Sequence, residues 1–213
     1  MAKSANNAVA LLGGTFDPVH IGHLRIAIRL REAGFGRVIM IPNRTPPHRD
    51  HPGASAEQRL QMLTLATEHL EGIEVSDIEL QREQLSYTAD TVSLLRQQLP
   101  DTPLTWVMGN DAWNGLPRWH QPGTVLNNVN LLVISRPGES ASTAGWLGTL
   151  ISERRCVPSD LLTLNHGGIC HLQWPGLDIS ASDLRAAIKR GDNIAFLTPP
   201  EVISYIDQHQ LYR

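Results

Sequence analysis

The segment Gly13-Gly14-Thr15-Phe16-Asp17-Pro18-Val19-His20-Ile21-Gly22-His23-Leu24 gathers three glycines, a hydroxyl, a carboxylate and two imidazoles into one short stretch. It follows the apolar run Val9–Leu12 and precedes an amphipathic run from Ile26 to Leu30, so it reads as a strand-to-helix turn. Such a turn suits a polyphosphate, because backbone N–H groups and a helix N-terminus both favour anions. His20 and His23 stand three apart and share one face of a first helical turn. Their imidazoles are donors able to follow negative charge as it moves during a reaction. Taken alone, the pair also suits a surface position, a capping contribution or part of a metal site. The metal alternative lacks further ligands, since no H-E-x-x-H spacing accompanies the histidines.

A second candidate lies far along the chain, at Ile179-Ser180-Ala181-Ser182-Asp183-Leu184-Arg185. Ser180 or Ser182 ahead of Leu184, Ala187 and Ile188 has the form of an N-cap. The segment is therefore either a plain capped helix or a second anion site, with Arg185 one turn inside to reach the same phosphates. Two common phosphate motifs are missing: there is no G-x-x-x-x-G-K-[ST], and the first turn does not read G-x-G-x-x-G. P-loop hydrolysis and ordinary dinucleotide redox chemistry both lose ground. Cys156, His166, Cys170 and His171 match no compact zinc spacing and read as a structural loop and strand.

Short apolar runs alternate with longer amphipathic ones, and these must position the candidates. Strands are expected near Val9–Gly13, Val38–Pro42, Ile73–Leu80, Leu104–Gly109, Leu131–Ser135 and Ile169–Trp174. Helices are expected near Leu24–Ala33, Ala56–Leu70, Ala89–Leu99, Ala144–Arg154, Asp183–Arg190 and Pro200–Gln208. The alternation implies an α/β fold: a doubly wound, Rossmann-like parallel sheet covered on both faces. No repeat or linker interrupts it, so residues 1–213 are expected to form a single domain, with helices from about 183 to 213 packed on it. The polar clusters Gly13–Asp17, Asn43–Arg49, Gly109–Asp111 and Arg136–Gly138 each follow a strand, and would emerge together at the sheet edge where ligands bind.

Composition narrows the partners. A hydrophobic share of 41% and a charged share of 18% suit a soluble globular chain. The net charge of -3 supplies no general field for nucleic acid or an anionic membrane, so an anionic ligand requires a local cluster of positive groups. Two cysteines, a polar start at Met1–Asn7 and no membrane-length apolar run point to the cytoplasm.

The His20-Ile21-Gly22-His23 core resembles the H-x-G-H signature of the nucleotidylyltransferase superfamily, and Ile179–Arg185 resembles its second, serine-rich signature. Pro46–Arg49, Ser86–Thr91, Gly109–Asp111, Leu116–Trp119, Arg136–Gly138 and Leu211–Arg213 resemble the bacterial nicotinate-mononucleotide adenylyltransferases within it. The resemblance spans almost the whole chain. It implies that Gly13, Gly14, Thr15, Phe16, His20 and His23 hold the ATP phosphates, faced by Ile179, Ser180, Ser182 and Arg185. His20, His23 and Arg185 would be the catalytic groups, while Gly109 and Asp111 would meet the adenosine. Trp119 would stack on the pyridine ring of the acceptor, and Thr88 with nearby amides would receive its carboxylate. Asp17 is grouped with the acceptor-binding residues; Arg136, with Asn43 or Arg49, would take the mononucleotide phosphate. Trp119 as plain packing and Thr88 as the N-cap of the helix from Ala89 are the simpler alternatives. The departures are small: Arg49 stands where Lys is frequent, His120 follows Trp119 where Tyr is also usual, and Ala181 replaces a small hydroxyl residue.

The implied reaction is attack by the phosphate of nicotinate mononucleotide on the α-phosphorus of ATP, releasing pyrophosphate, with Mg²⁺ on the phosphates. A phosphate monoester has its second pKa near ~6 and is already dianionic at neutral pH, so no general base is needed. The alternatives are another acceptor, such as nicotinamide mononucleotide (alone or with the acid) or phosphopantetheine, a non-catalytic nucleotide-binding protein on the same fold, and a metal hydrolase using the histidines.

Overall fold

The computed structural model describes residues 7–44, 53–82, 87–135 and 140–213. Six parallel strands form its sheet: β1 (Val9–Gly14), β2 (Arg37–Pro42), β3 (Ile73–Val75), β4 (Leu104–Gly109), β5 (Asn130–Ser135) and β6 (Ile169–Gln173). Their spatial order is β3-β2-β1-β4-β5-β6. The chain thus winds outward one way from β1 and then, from β4, the other way. That reversal opens a crevice beyond the ends of β1 and β4, where ligands of such sheets bind.

Alternation along the strands gives the sheet two apolar faces. Ala10 and Leu12 of β1, with Val38 and Met40 of β2, point to one side. There they meet α1 (Ile21–Glu32) and α2 (Ala56–Thr67) through Leu24, Ala27, Leu30, Met62 and Leu63. The C-terminal segment joins the same core: Ala187 and Ile188 of α7 (Ala181–Arg190), Val202 and Ile206 of α8 (Pro200–Gln208), and Leu211 beyond it. Val9 and Leu11 face the opposite side with Trp106, Met108 and Leu131. That face is covered by α3 (Thr88–Gln98), α4 (Asn110–Gly115), α5 (Pro122–Asn128) and α6 (Gly145–Arg154). The doubly wound α/β expectation is met.

Local differences from the sequence expectations have local causes. β3 stops at Val75 rather than reaching Leu80, because the amides of Leu80 and Gln81 turn back to the Asp77 carbonyl at 2.7 and 3.1 Å. The short helices α4 and α5 carry too few turns for a periodic pattern to emerge. Helix α1 begins at Ile21 and α7 at Ala181, each earlier than its apolar pattern, since first-turn residues point to the ligand edge rather than the core. No described helix is long and apolar enough to cross a membrane.

Candidate active site

A cavity of about 1680 Å³ occupies the crevice at the sheet reversal. It exceeds the roughly 300–1,000 Å³ of a drug-sized pocket, as two nucleotides side by side would require. Gly13, Gly14, Thr15, Phe16, Asp17, His20, His23, Asn43, Thr88, Gly109, Asp111, Trp119, Ile179, Ser180, Ser182 and Arg185 all line it. These are all the candidate residues within the described segments; Arg49 and Arg136 lie outside them.

His20 is the N-cap of α1 and is buried. Its backbone N–H donates to Nδ1 of His23 at 3.3 Å, and the two rings stack with centroids 3.7 Å apart. The edge of Phe16 closes on His23 at 5.0 Å. Phe16 holds a left-handed backbone, φ 50°, which costs a non-glycine residue some strain and aims its ring inward. Burial, then the His20 imidazole alongside, holds His23 well below the ordinary imidazole range. His23 is therefore neutral at pH 7, and with Nδ1 accepting, its proton sits on Nε2. The ring is preset as a donor.

The first turn of α1 contains no acidic residue. The Ile21 amide is taken by the Leu197 carbonyl at 3.0 Å, while those of His23 and Leu24 turn back to the His20 carbonyl. Among the described contacts the amide of Gly22 has no protein acceptor. Gly22 must also lack a side chain for a steric reason. A Cβ there would lie 2.9 Å from both His20 Nδ1 and Ile179 Cγ2. The missing methyl lets the N-terminal turns of α1 and α7 approach each other, which is how two distant sequence segments form one site.

Ser180 is the N-cap of α7: its hydroxyl accepts from the Asp183 amide at 3.1 Å and donates to the Asp183 carboxylate at 2.6 Å. The expected Ser180 contact to phosphate thus competes with a cap, whereas Ser182 and Arg185 share only a 3.3 Å hydrogen bond. Arg185 Nη1 donates to the Asp17 carbonyl at 2.7 Å and lies 3.6 Å from Oδ2 of its carboxylate. Asp17, expected among the acceptor-binding residues, lines the cavity but is already engaged by protein donors. Its buried carboxylate already accepts from the Gly53 amide (2.8 Å), the Ala54 amide (3.1 Å) and the Tyr212 hydroxyl (2.7 Å).

Across the cavity, Thr88 is the first residue of α3 and Tyr87 its cap, so Thr88 is not the cap anticipated as one alternative. Tyr87 stacks on His120 at 4.4 Å beside Trp119, whose indole also packs on the second core. Gly109 caps α4, and no atom lies within 4 Å of where its Cβ would be. Asp111 stands exposed in the same turn.

Arg59 escaped the sequence reading. It is wholly buried in α2, with Nη1 donating to the Thr15 carbonyl (2.7 Å) and Asn43 Oδ1 (3.3 Å), and Nη2 to the Arg44 carbonyl (2.9 Å). Because Asn43 Oδ1 accepts from Arg59, its amide Nδ2 is the donor, 3.4 Å from the Thr15 hydroxyl. The signal was present: Arg59 stands in register with Met62, Leu63 and Ala66 on the apolar face of α2. Burial lowers its pKa, opposed by the charge of Asp17, but a guanidinium stays protonated.

A nucleotide-sized crevice at the reversal of a 3-2-1-4-5-6 sheet, with two helix N-termini, paired imidazoles and an arginine turned into it, is the arrangement of a nucleotidyl-transferring protein. The chain belongs to the cytidylyltransferase-like family, whose match covers residues 11–187. Its relatives are more particular. It is 42% identical to a probable nicotinate-nucleotide adenylyltransferase of Aeromonas hydrophila, over 96% of this chain and 97% of that protein. It is 38% identical to one of Pseudomonas putida, over 100% and 99%. Among solved structures, nicotinic acid mononucleotide adenylyltransferase of Plasmodium falciparum, complexed with NaAD, superposes with a TM-score of 0.73. That comparison covers 96% of this chain and 97% of the other at 16% identity, and it shows the shared fold.

Proposed function

We propose that this protein transfers the adenylyl group of ATP to nicotinate mononucleotide, giving nicotinate adenine dinucleotide and pyrophosphate. The observation that carries this reading is the closure of both signature segments on one cavity, through Gly22 against Ile179 and Arg185 on the Asp17 carbonyl. Full-length similarity to nicotinate-nucleotide adenylyltransferases supports the same acceptor.

The acceptor phosphate, largely dianionic above ~6, attacks the α-phosphorus without a general base. Negative charge then grows on the bridging oxygen and the departing pyrophosphate. His23, as an Nε2 donor, His20, Arg185 and the amides at the starts of α1 and α7 are arranged to stabilise it. Because they are held before substrate arrives, little reorganisation accompanies the reaction. Asn43, whose amide Nδ2 shares the cavity edge with the Thr15 hydroxyl, and Thr88 are the donors we assign to the acceptor, with Trp119 against its ring. Asp111 suits a ribose hydroxyl. Arg49 and Arg136 remain our assignment for the mononucleotide phosphate.

Among the described residues no cluster of three His, Cys, Asp or Glu forms a metal cage. The buried carboxylate of Asp17 is committed to protein donors. This donor set fits Mg²⁺ that enters with ATP on its phosphates, where it neutralises charge. The sparse, unpaired cysteines fit a cytoplasmic setting.

The test is pyrophosphate release with ATP and either nicotinate or nicotinamide mononucleotide. Faster turnover of the acid supports the reading; equal turnover indicates dual specificity. ATP binding with no pyrophosphate release for any acceptor would make the chain a nucleotide-binding protein without transferase activity.

A further inference from the structure

We propose that Tyr212, which lies beyond α8, is a positioning residue that holds the Arg185 guanidinium toward the substrate phosphates by fixing Asp17; the proposal rests on the adenylyl-transfer reading for its catalytic consequence. The Tyr212 hydroxyl donates to Asp17 Oδ1 at 2.7 Å, although the two residues lie at opposite ends of the chain. The amides of Gly53 and Ala54 hold the same carboxylate from the loop before α2. Three donors hold the Asp17 carboxylate, and its carbonyl accepts from Arg185 Nη1 at 2.7 Å.

The packing is as close as the hydrogen bonding. A Cβ on Gly53 would lie 2.9 Å from the Tyr212 ring and 3.4 Å from Arg185 Cδ, so the bare glycine backbone is wedged between them. Leu211 anchors this tail in the core, and Tyr212 adopts φ 65°, a left-handed conformation that a non-glycine residue holds only when its surroundings impose it. Burial first, then the charge of Asp17, pushes the Tyr212 hydroxyl far above its ordinary pKa, so it remains a donor across the working pH range. Of the Arg185 donors, Nη1 faces Asp17 and Nη2 faces Ser182, which leaves the rest of the fork to the cavity it lines. Nη1 also lies 3.6 Å from the Asp17 carboxylate, a second contact that orients the guanidinium on the same residue.

The test is Tyr212→Phe, which removes one hydroxyl, measured in the wild-type and Arg185→Ala backgrounds. In the wild-type background kcat should fall about 10-fold with the KM for ATP nearly unchanged, because misplacing a group that aligns the phosphates costs rate before binding. In Arg185→Ala the same substitution should change kcat little. Gly53→Ala, which displaces the Tyr212 ring from the other side, should reproduce the loss, and it serves if Tyr212→Phe melts below the assay temperature. The second readout is independent of the reaction: in protein labelled with ¹⁵N-arginine, the Arg185 Nε–H signal, assigned by its loss in Arg185→Lys, should be rigid in wild type and averaged in Tyr212→Phe. An unchanged Arg185 signal, or an equal loss of kcat in both backgrounds, overturns the proposal. A wild-type protein that releases no pyrophosphate would overturn the transfer reading alone, and the Arg185 signal would still decide the role of Tyr212.

Discussion

Adding one methyl group at Gly22 separates the chemistry of this site from its stability. In Gly22→Ala the new Cβ would stand 2.9 Å from His20 Nδ1, 3.0 Å from His20 Cε1 and 2.9 Å from Ile179 Cγ2, where ordinary contact begins at 3.4 Å. Both neighbours must therefore give way by about half an ångström, since contacts so far inside the van der Waals minimum are steeply repulsive. His20 cannot slide freely, because its other face is stacked on His23 at 3.7 Å. Overpacking of this kind costs about 1–3 kcal/mol. Replacing a helical glycine with alanine returns up to ~1 kcal/mol, so the net loss of stability should be roughly 0–2 kcal/mol. Activity has no such compensation. A displaced donor or a separated α7 should lower kcat by about 10–100-fold, in keeping with ~10² for a misplacement near 1 Å. Pyrophosphate release would be followed beside a thermal melt of the same sample. A variant that melts within a few degrees of wild type yet loses this activity fits the reasoning. One that keeps turnover within about 2-fold of wild type would refute it, because His20 would then be either unconstrained or remote from the reaction.

Gly109→Ala is the complementary substitution: its Cβ meets nothing within 4 Å beyond its chain neighbours, so stability should fall by no more than the ~1 kcal/mol of a poorer N-cap, and a raised KM for ATP would report a clash with bound nucleotide. His23 should make the fold sensitive to acid. Its folded-state pKa lies below the unfolded value of ~6.5, so its contribution is fully present above that pH and is lost as pH falls through the lowered value. Urea midpoints should therefore drop less between pH 7.5 and 5 in His23→Gln than in wild type, and parallel drops would count against the burial argument. Arg59→Met should destabilise by roughly 2–5 kcal/mol, since the Thr15 and Arg44 carbonyls each lose a buried donor. A loss under ~1 kcal/mol in urea unfolding would mean that water or another side chain replaces the guanidinium.

Much of this was legible along the chain because helix and strand periods are local properties. Val9–Leu12 and Leu104–Gly109 could be read as buried parallel strands, and Leu184, Ala187 and Ile188 as one apolar face, without any knowledge of their partners. The short α4 was not readable, since its placement depends on burial of Trp113 against the second core, with the indole donating to the Ser142 carbonyl. Thr88 shows a similar limit: a hydroxyl residue before a helical pattern suits either a cap or the first turn, and only the backbone distinguishes them.

By itself the sequence determined which groups were available: two imidazoles one helical turn apart, serines ahead of a helix, and an arginine within it, set among alternating strands and helices. Residue type and short spacing suffice for that, because donors, charges and local periods are carried by neighbours in the chain. What each group is used for was decided by the tertiary structure. Asp17, from an apparent ligand-binding loop, became the anchor of Arg185 and Tyr212, and Arg59, outwardly one more helix charge, became the buried brace of the loops after β1 and β2. The physical reason is that a polar side chain satisfies whichever partners folding brings within about 3 Å, and those partners come from segments whose distance along the chain carries no information about their distance in space.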